Sequence, residues 1–119
     1  MVKKTITYTD YNDAERTEDF YFNLSKAELA EMQLTTEGGF STYIQRIIDA
    51  KDVPALTRAF KDVLVKSYGK KSDDGRRFIK SEEITDEFVQ TEAYSEIFME
   101  LVSDDKLAAE FVNGIIPNM

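Results

Sequence analysis

The sequence predicts an α+β fold in which an N-terminal β-hairpin is followed by a mainly α-helical bundle of five to six helices. Alternation of apolar and polar residues predicts two strands within residues 1–24. Ser25 and Glu28 then have the spacing of a capping box, which opens a helix. Beyond them, apolar residues recur three and four positions apart, as in amphipathic helices. A length of 119 residues fits a single domain.

The predicted hairpin has one apolar face. Ile6 and Tyr8 alternate with threonines in the first strand, and Phe20, Phe22 and Leu24 share one side of the second. A turn-forming stretch rich in Asp and Asn joins the strands. Two strands alone are marginally stable, so the aromatic face must pack on the helices or on another molecule.

Residues 25–69 predict three helices. The Gly38-Gly39 pair interrupts the first helical pattern, and Asp52 is placed to cap the third helix with Pro54 in its first turn. Gly69 is expected to end that third helix as a glycine just past the last turn. The second helix has an apolar stripe formed by Phe40, Tyr43, Ile44, Ile47 and Ile48.

The remaining residues divide into a basic segment, an acidic helical part and a tail. Residues 70–80 predict an irregular loop, with Asp74-Gly75 as its turn signal. Residues 81–114 predict acidic helices that end at Gly114, and residues 115–119 form an apolar tail. We expect the helix caps of the acidic part to be Thr85, Thr91 and Ser103.

The composition argues against an enzyme. The chain has no cysteine and no histidine, which removes thiolate chemistry, Ser-His-Asp arrangements and the commonest metal ligand. We therefore expect no catalytic residues, no cofactor and no metal site. Absence of cysteine is also compatible with a reducing cytoplasm. No apolar run reaches the length of about 18 residues that a membrane span needs, so no membrane partner is expected.

Charge is unevenly distributed along the chain. The formal net charge is −8, and residues 81–119 carry ten acidic side chains against the single Lys106. Residues 1–80 carry thirteen acids and fourteen bases. The overall acidity makes nucleic acid an unfavourable ligand. The charged segments are either solvated surfaces or an electrostatic docking surface for a protein partner or another copy.

The candidate protein-interaction residues follow from these patterns. Four cations crowd the basic segment: Lys70, Lys71, Arg76 and Arg77. Three carboxylates lie four residues apart on one helical face: Glu92, Glu96 and Glu100. Two aromatic residues are also candidates, because the aromatic face of the hairpin would be an interaction surface if it packed on another molecule: Phe20 and Phe22. Without a neighbouring histidine, the glutamate row is interpreted as a solvated stripe rather than a metal site.

Three stretches together resemble a known family. They are ERTEDFYFNL (15–24), SYGKKSDDGRRF (67–78) and QTEAYSEIFMEL (90–101). They are similar to the tail assembly chaperones of tailed phages and prophages of Gram-positive bacteria. The resemblance extends from Lys4 to Pro117 and brings no catalytic residues with it.

The resemblance implies a function and its partners. Chaperones of this family bind the tape measure protein, keep it soluble and help to recruit major tail tube subunits. They work in the cytoplasm of the bacterial host and are absent from the mature virion, and many have a longer form made by ribosomal frameshifting. If the basic stretch 66–80 of one copy met the acidic surface 81–110 of the next, head-to-tail contacts would build a homo-oligomeric ring or spiral.

Two other classes of function stay open at this stage. One is a phage structural or adaptor protein, acting in tail completion or at the head–tail junction, which would remain in the finished particle. The other is a small acidic inhibitor of a host protein, whose acidic helices would imitate nucleic acid. Such an inhibitor would bind one host enzyme tightly and would not bind tape measure segments.

Overall fold

The computed structural model describes residues 1–35 and 38–115, which form one antiparallel sheet with helices packed against its inner face. The predicted α+β class, with its N-terminal hairpin and helical remainder, is confirmed. The four strands of the described part pair in chain order. They are β1 (Val2–Thr9), β2 (Glu15–Phe22), β3 (Tyr68–Lys71) and β4 (Phe78–Ile79).

The helices fall into two groups, before and after the short β3–β4 hairpin. The first group lies between β2 and β3, and the second follows β4. The first comprises α1 (Lys26–Thr35), α2 (Phe40–Ala50) and α3 (Val53–Ser67). The second comprises α4 (Glu82–Val89), α5 (Glu92–Ser103) and α6 (Asp105–Ile115).

The predicted N-terminal hairpin forms and places its apolar residues inward. β1 and β2 pair continuously from Val2 opposite Phe22 to Thr9 opposite Glu15. Ile6 is buried on the inner side of this ladder. On the outer side the alternating residues are polar and exposed, as expected for a sheet with one face on the core and one in water.

Aromatic rings connect the hairpin to the rest of the chain. Phe22 is fully buried, and its ring centroid lies 5.2 Å from that of Phe111 in α6 and 5.8 Å from that of Phe88 in α4. Tyr68 of β3 stacks on Phe88 at 4.0 Å, and Phe20 lies 5.7 Å from the same ring. The aromatic face of the hairpin therefore packs within the chain.

The predicted irregular loop at 70–80 is wrong at both ends, because β3 and β4 form a second hairpin there. Lys70 pairs with Ile79 and Lys71 with Phe78, and the Ser72 N–H donates to the Arg77 carbonyl at 2.9 Å. Gly75 takes a left-handed φ of 75° in the turn. Strands of only four and two residues are too short to show apolar alternation, so the sequence pattern missed them.

Two glycines have roles other than the predicted helix ends. Gly69 lies in β3, where an added Cβ would be 2.6 Å from the Phe78 ring and 2.8 Å from the Ile79 carbonyl oxygen. Gly114 lies inside α6, where a Cβ would be 2.7 Å from a methyl group of Val2. Both glycines therefore allow close packing rather than stopping a helix.

Three of the predicted helix caps are confirmed. The Ser25 N–H donates to Glu28 at 2.9 Å and the Glu28 N–H donates to the Ser25 hydroxyl at 3.1 Å, which is the capping box. Asp52 accepts the N–H of Ala55 at the start of α3. Thr91 accepts the N–H of Tyr94 at the start of α5.

The other two predicted caps are wrong by one and four residues. Ser81, rather than Thr85, caps α4 through the N–H of Ile84. Asp104, rather than Ser103, accepts the N–H groups of Lys106 and Leu107 at the start of α6. Ser103 is still the last residue of α5. Neighbouring residues of good capping type cannot be separated without knowing where the backbone leaves the helix.

Part of the prediction lies outside the described residues. This holds for the break at 36–37, for residues 116–119 of the apolar tail, and for four side chains of the α2 stripe: Phe40, Ile44, Ile47 and Ile48. Tyr43 of the same stripe is exposed, so its predicted inward position is wrong. Ile115, predicted to begin the tail, is buried at the end of α6.

Lys80 fastens the β4–α4 junction to the start of α1. Its Nζ donates to the Glu28 carboxylate at 2.7 Å and to the Asn23 carbonyl at 2.8 Å. Burial of Glu28 tends to raise its pKa, but hydrogen bonds from Lys80 and Ser25 outweigh this and bring the pKa below its ordinary value. Glu28 thus joins the capping box to an ion pair across the fold.

We predict that Gly69→Ala destabilises the protein and that Gly114→Ala does so much less. At Gly69 the new methyl meets a backbone carbonyl, so we expect a loss of about 1–3 kcal/mol. At Gly114 it meets a methyl of a partly exposed N-terminal side chain, and alanine gains about 1 kcal/mol of helix propensity. Urea unfolding of the two variants checks the difference; equal losses would contradict it.

We predict that Glu28→Gln lowers stability near pH 7 and that the difference from the wild type shrinks in acid. Glutamine keeps an acceptor for Ser25 but loses the charge that Lys80 neutralises. Since the folded pKa of Glu28 lies below its ordinary 4.5, its contribution is present above that pH and is lost as the pH falls below it.

The ion pair is partly exposed, so the expected loss is at most about 1 kcal/mol. Thermal or urea unfolding between pH 7 and pH 3 measures it. Glu96→Gln is the control, because Glu96 is exposed and forms no ion pair with a described residue. A difference that stays constant over this pH range would rule out the Lys80 interaction as its source.

Candidate functional site

The described residues hold no cluster of acidic side chains suited to metal binding. No group of three or more acidic side chains within 1–35 and 38–115 is arranged to hold a metal ion. In the same residues, every buried side-chain nitrogen and oxygen atom has a hydrogen-bond partner. No helix in this part of the chain has the length and apolarity needed to span a membrane. The candidate sites in this part of the chain are its charged surfaces and grooves.

The four predicted cations lie together on the β3–β4 hairpin, which we call the basic tip: Lys70, Lys71, Arg76 and Arg77. All four are exposed, and none forms a salt bridge with a described residue. The nearby Asp74 carboxylate is engaged in the turn. The N–H of Arg76 makes the larger contribution to lowering its pKa, and the Ser72 hydroxyl makes the next; both donate hydrogen bonds to the carboxylate. The positive charge of the tip is thus unpaired among the described residues.

The predicted glutamate stripe on α5 is not a uniform solvated surface. Glu92 accepts the Tyr11 hydroxyl at 2.8 Å, and Glu100 accepts Lys4 Nζ at 3.0 Å. Both contacts fasten α5 to the N-terminal hairpin. Glu96 is exposed and has no ion pair among the described residues. Of the three, only Glu96 is both exposed and without a partner among the described residues.

A denser acidic surface lies on α4 and was not singled out from the sequence. Its four carboxylates are exposed and form no ion pair with any described residue: Glu82, Glu83, Asp86 and Glu87. α4 begins three positions after the end of β4, so this surface and the basic tip belong to neighbouring elements. The signal in the sequence was the four acids within six positions.

The two aromatic candidates do not lie on a free surface. Phe22 is fully buried and Phe20 is 7% exposed, and both belong to the intramolecular aromatic cluster. Of the nine predicted interaction residues, the structure brings the four cations together in the basic tip. It divides the glutamates by partner and places the two phenylalanines in the core.

A groove, which we call the sheet gap, opens where β3 leaves β2. The two strands pair at Tyr21 with Gly69 and at Phe22 with Tyr68, and they are not paired further along. The groove has a volume of about 650 Å³ and lies next to α4. Lys70 and Lys71 line its β3 side, and Glu18 and Asp19 line its β2 side; the rings in its lining are those of Phe20, Tyr21, Tyr68 and Phe88.

A second groove, which we call the helix groove, lies between the start of α3 and the middle of α6. It has a volume of about 580 Å³ and is lined by Val53, Leu56 and Phe60 on one side and Ala108 and Ala109 on the other. Val53 is 67% exposed. Two charged residues also line it, Asp49 and Lys51. An apolar floor with small side chains on one wall suits the apolar face of another helix.

Comparison with known proteins gives one family. The family model described as phage tail assembly chaperone matches residues 1–119, which is the full length of the chain. No curated protein and no solved structure matches it. The match agrees with the resemblance carried by the segments 15–24, 67–78 and 90–101, and the family is not one of enzymes. The chain therefore belongs to the phage tail assembly chaperone family.

Proposed function

We propose that this chain binds the tape measure protein in the cytoplasm of the bacterial host, keeps it soluble and helps to recruit tail tube subunits. The observation that carries the proposal is the family match over the whole chain. A groove of apolar character on the helical side supports it. In this role the chain leaves before the tail is complete and is absent from mature virions.

The helix groove is the proposed contact with the client. A tape measure protein is long, helical and apolar, so its segments need an apolar surface that replaces their missing neighbours. Val53, Leu56 and Phe60 supply such a surface, and Ala108 and Ala109 leave room for a helix to approach closely. Burial of apolar area contributes about 25 cal/mol per Å² before the cost of association is subtracted, so one small groove alone binds weakly.

Charge supports the solubility of the complex. The chain has a net charge of −8. A net charge of this size keeps complexes of the chain with an apolar client apart by repulsion and so opposes their aggregation. The uneven distribution adds a second property. The basic tip and the acidic surface of α4 are both free of internal partners among the described residues, so each can meet its opposite on another copy.

Co-expression with the tape measure protein tests the client contact. We predict that the wild type yields a soluble complex, whereas Val53→Glu loses it, because a charge in the groove opposes an apolar helix. A carboxylate in the first turn of α3 is favourable to the helix dipole, so the variant should fold. Met99→Glu is the matched control, since Met99 is 59% exposed on α5, away from the helix-groove lining.

The possible results test the proposed function and the proposed binding groove separately. A soluble complex with wild type and Met99→Glu but not with Val53→Glu supports both the function and the groove. Equal yields for the two variants would mean that the client binds elsewhere. No complex with the wild type, or the chain's presence in purified virions, would favour a structural or adaptor protein instead.

We predict that Arg76→Glu with Arg77→Glu weakens self-association at low salt while leaving the unfolding free energy within about 0.5 kcal/mol of the wild type. The two cations have no internal partner among the described residues, so stability should not depend on them. The loss should be about tenfold or more at roughly 50 mM salt and should shrink near 1 M, where screening is strong.

The control has the same change in charge at another surface. Arg58→Glu with Lys61→Glu alters two exposed cations of α3, and we expect its association to match that of the wild type. Sedimentation velocity at several salt concentrations measures both variants. If the α3 double variant weakens association as much as the tip variant, net charge rather than the basic tip is responsible.

A further inference from the structure

The outer edge of β1 has a row of backbone groups that pair with no residue within 1–35 and 38–115. The Asp10 N–H donates to the Ala14 carbonyl at 2.9 Å, in the same register as the β1–β2 ladder. Because hydrogen-bonded and non-bonded pairs alternate along an antiparallel ladder, every second residue of β1 faces β2. The residues whose N–H and C=O groups face away are Lys3, Thr5, Thr7 and Thr9.

This edge has neither a proline nor a bulge, and its two lysines, Lys3 and Lys4, are already paired with Asp19 and Glu100. β1 is the first strand of the sheet, eight residues long, with continuous register and no proline. A long regular edge of this kind is a template for another strand. The opposite edge of the sheet is β4, whose two residues are too few to act in the same way.

β2 has an open edge as well, on its side facing away from β1. The Asn23 N–H donates to the Ser67 carbonyl at 2.8 Å, so the backbone groups of Asn23 point toward β3. Because this direction alternates along a strand, every second residue before Asn23, beginning with Tyr21, also points its backbone groups to that side. Pairing with β3 stops at Tyr21. The groups of Glu15, Thr17 and Asp19 therefore have no strand of the described residues beside them, and Asp19 lines the sheet gap.

The two open edges are complementary in charge. β1 carries two lysines and no acid, whereas β2 carries three carboxylates and one arginine. The same residue types already pair within the chain: Lys3 Nζ lies 3.6 Å from the Asp19 carboxylate, and the hydroxyls of Thr7 and Thr17 are 2.9 Å apart. Two β1 edges facing each other would bring no such complement, because neither carries an acid.

We propose that β1 of one copy adds as an antiparallel strand to the open edge of β2 in a second copy. With Lys3 opposite Asp19, Thr5 lies opposite Thr17 and Thr7 opposite Glu15, which repeats the pairing of residue types within the hairpin. The outward-facing backbone groups of both strands then find partners.

This contact deepens the contact between copies proposed above and does not depend on the client. It joins two different edges, so a copy that donates β1 still has its own β2 edge open. Contacts of this kind continue into chains or rings rather than stopping at a dimer. The basic tip, whose Lys70 and Lys71 line the sheet gap, would then lie beside the incoming copy.

Proline variants test the proposal on the full chain. Thr5→Pro and Thr17→Pro each remove one outward N–H and leave the inward ladder intact, since proline is tolerated at such edge positions. Thr5→Val and Thr17→Val are matched controls that keep the N–H and the β-branched shape. Circular dichroism checks folding, and sedimentation equilibrium measures association over a range of concentrations.

We expect each proline variant alone to associate at least tenfold more weakly than its valine control. An equimolar mixture of the two should form dimers, because Thr17→Pro supplies an intact β1 and Thr5→Pro an intact β2 edge. Association of Thr17→Pro alone as strong as that of its valine control would overturn the proposal. A monomeric wild type at all concentrations, or valine variants as weak as the proline variants, would overturn it too.

Amide exchange of the wild type decides the question even if a proline variant fails to fold. On raising the concentration, the amides of Thr5, Thr7 and Thr17 should gain protection, whereas those of Lys4 and Ile6 are already protected by the ladder. Association without this gain overturns the proposal. Val53→Glu should associate like the wild type, so a failed client contact and a failed strand contact give different results.

Discussion

The structure depends on one constraint, which is that a two-stranded hairpin cannot hold its own apolar face out of water. Phe22 meets this constraint by contacting Tyr68 of β3, Phe88 of α4 and Phe111 of α6. Elements far apart in the chain each contribute one ring to the same cluster. A cavity at a buried phenylalanine costs about 3–5 kcal/mol, and a domain has only about 5–15 kcal/mol of stability. The hairpin and the helical part therefore depend on the same aromatic cluster for their stability.

The same constraint decides what is left at the surface. The inner face of the sheet is used by the core, so its outer face is polar and its edges hold the unused hydrogen-bonding groups. Tyr68 stacks on Phe88 and Gly69 lies against Phe78, and these contacts direct β3 toward α4 and β4. The part of β2 that precedes Tyr21 in the chain therefore has no β3 residue paired with it, and this opening is the sheet gap.

Local patterns predicted what depends on near neighbours. The hairpin, the capping box at Ser25 and the caps at Asp52 and Thr91 each need a few adjacent residues, and all were predicted. β3 and β4 were missed because strands this short acquire their structure from partners. Glu92 and Glu100 were placed on the correct helical face, but Tyr11 and Lys4 are more than 80 positions away in the chain. Such contacts depend on tertiary packing, which the spacing of residues within a helix does not encode.

The two proposed contacts use different layers of the molecule, and this separation has a functional consequence. The helix groove belongs to α3 and α6, whereas the strand contact belongs to the edges of the sheet. One groove of about 580 Å³ can hold a short apolar segment weakly. Copies joined edge to edge present such grooves in series, and linked weak sites gain about 10²–10⁴ in avidity without new contacts. A long client could then be held firmly by the array, and it would be released as soon as the copies separate.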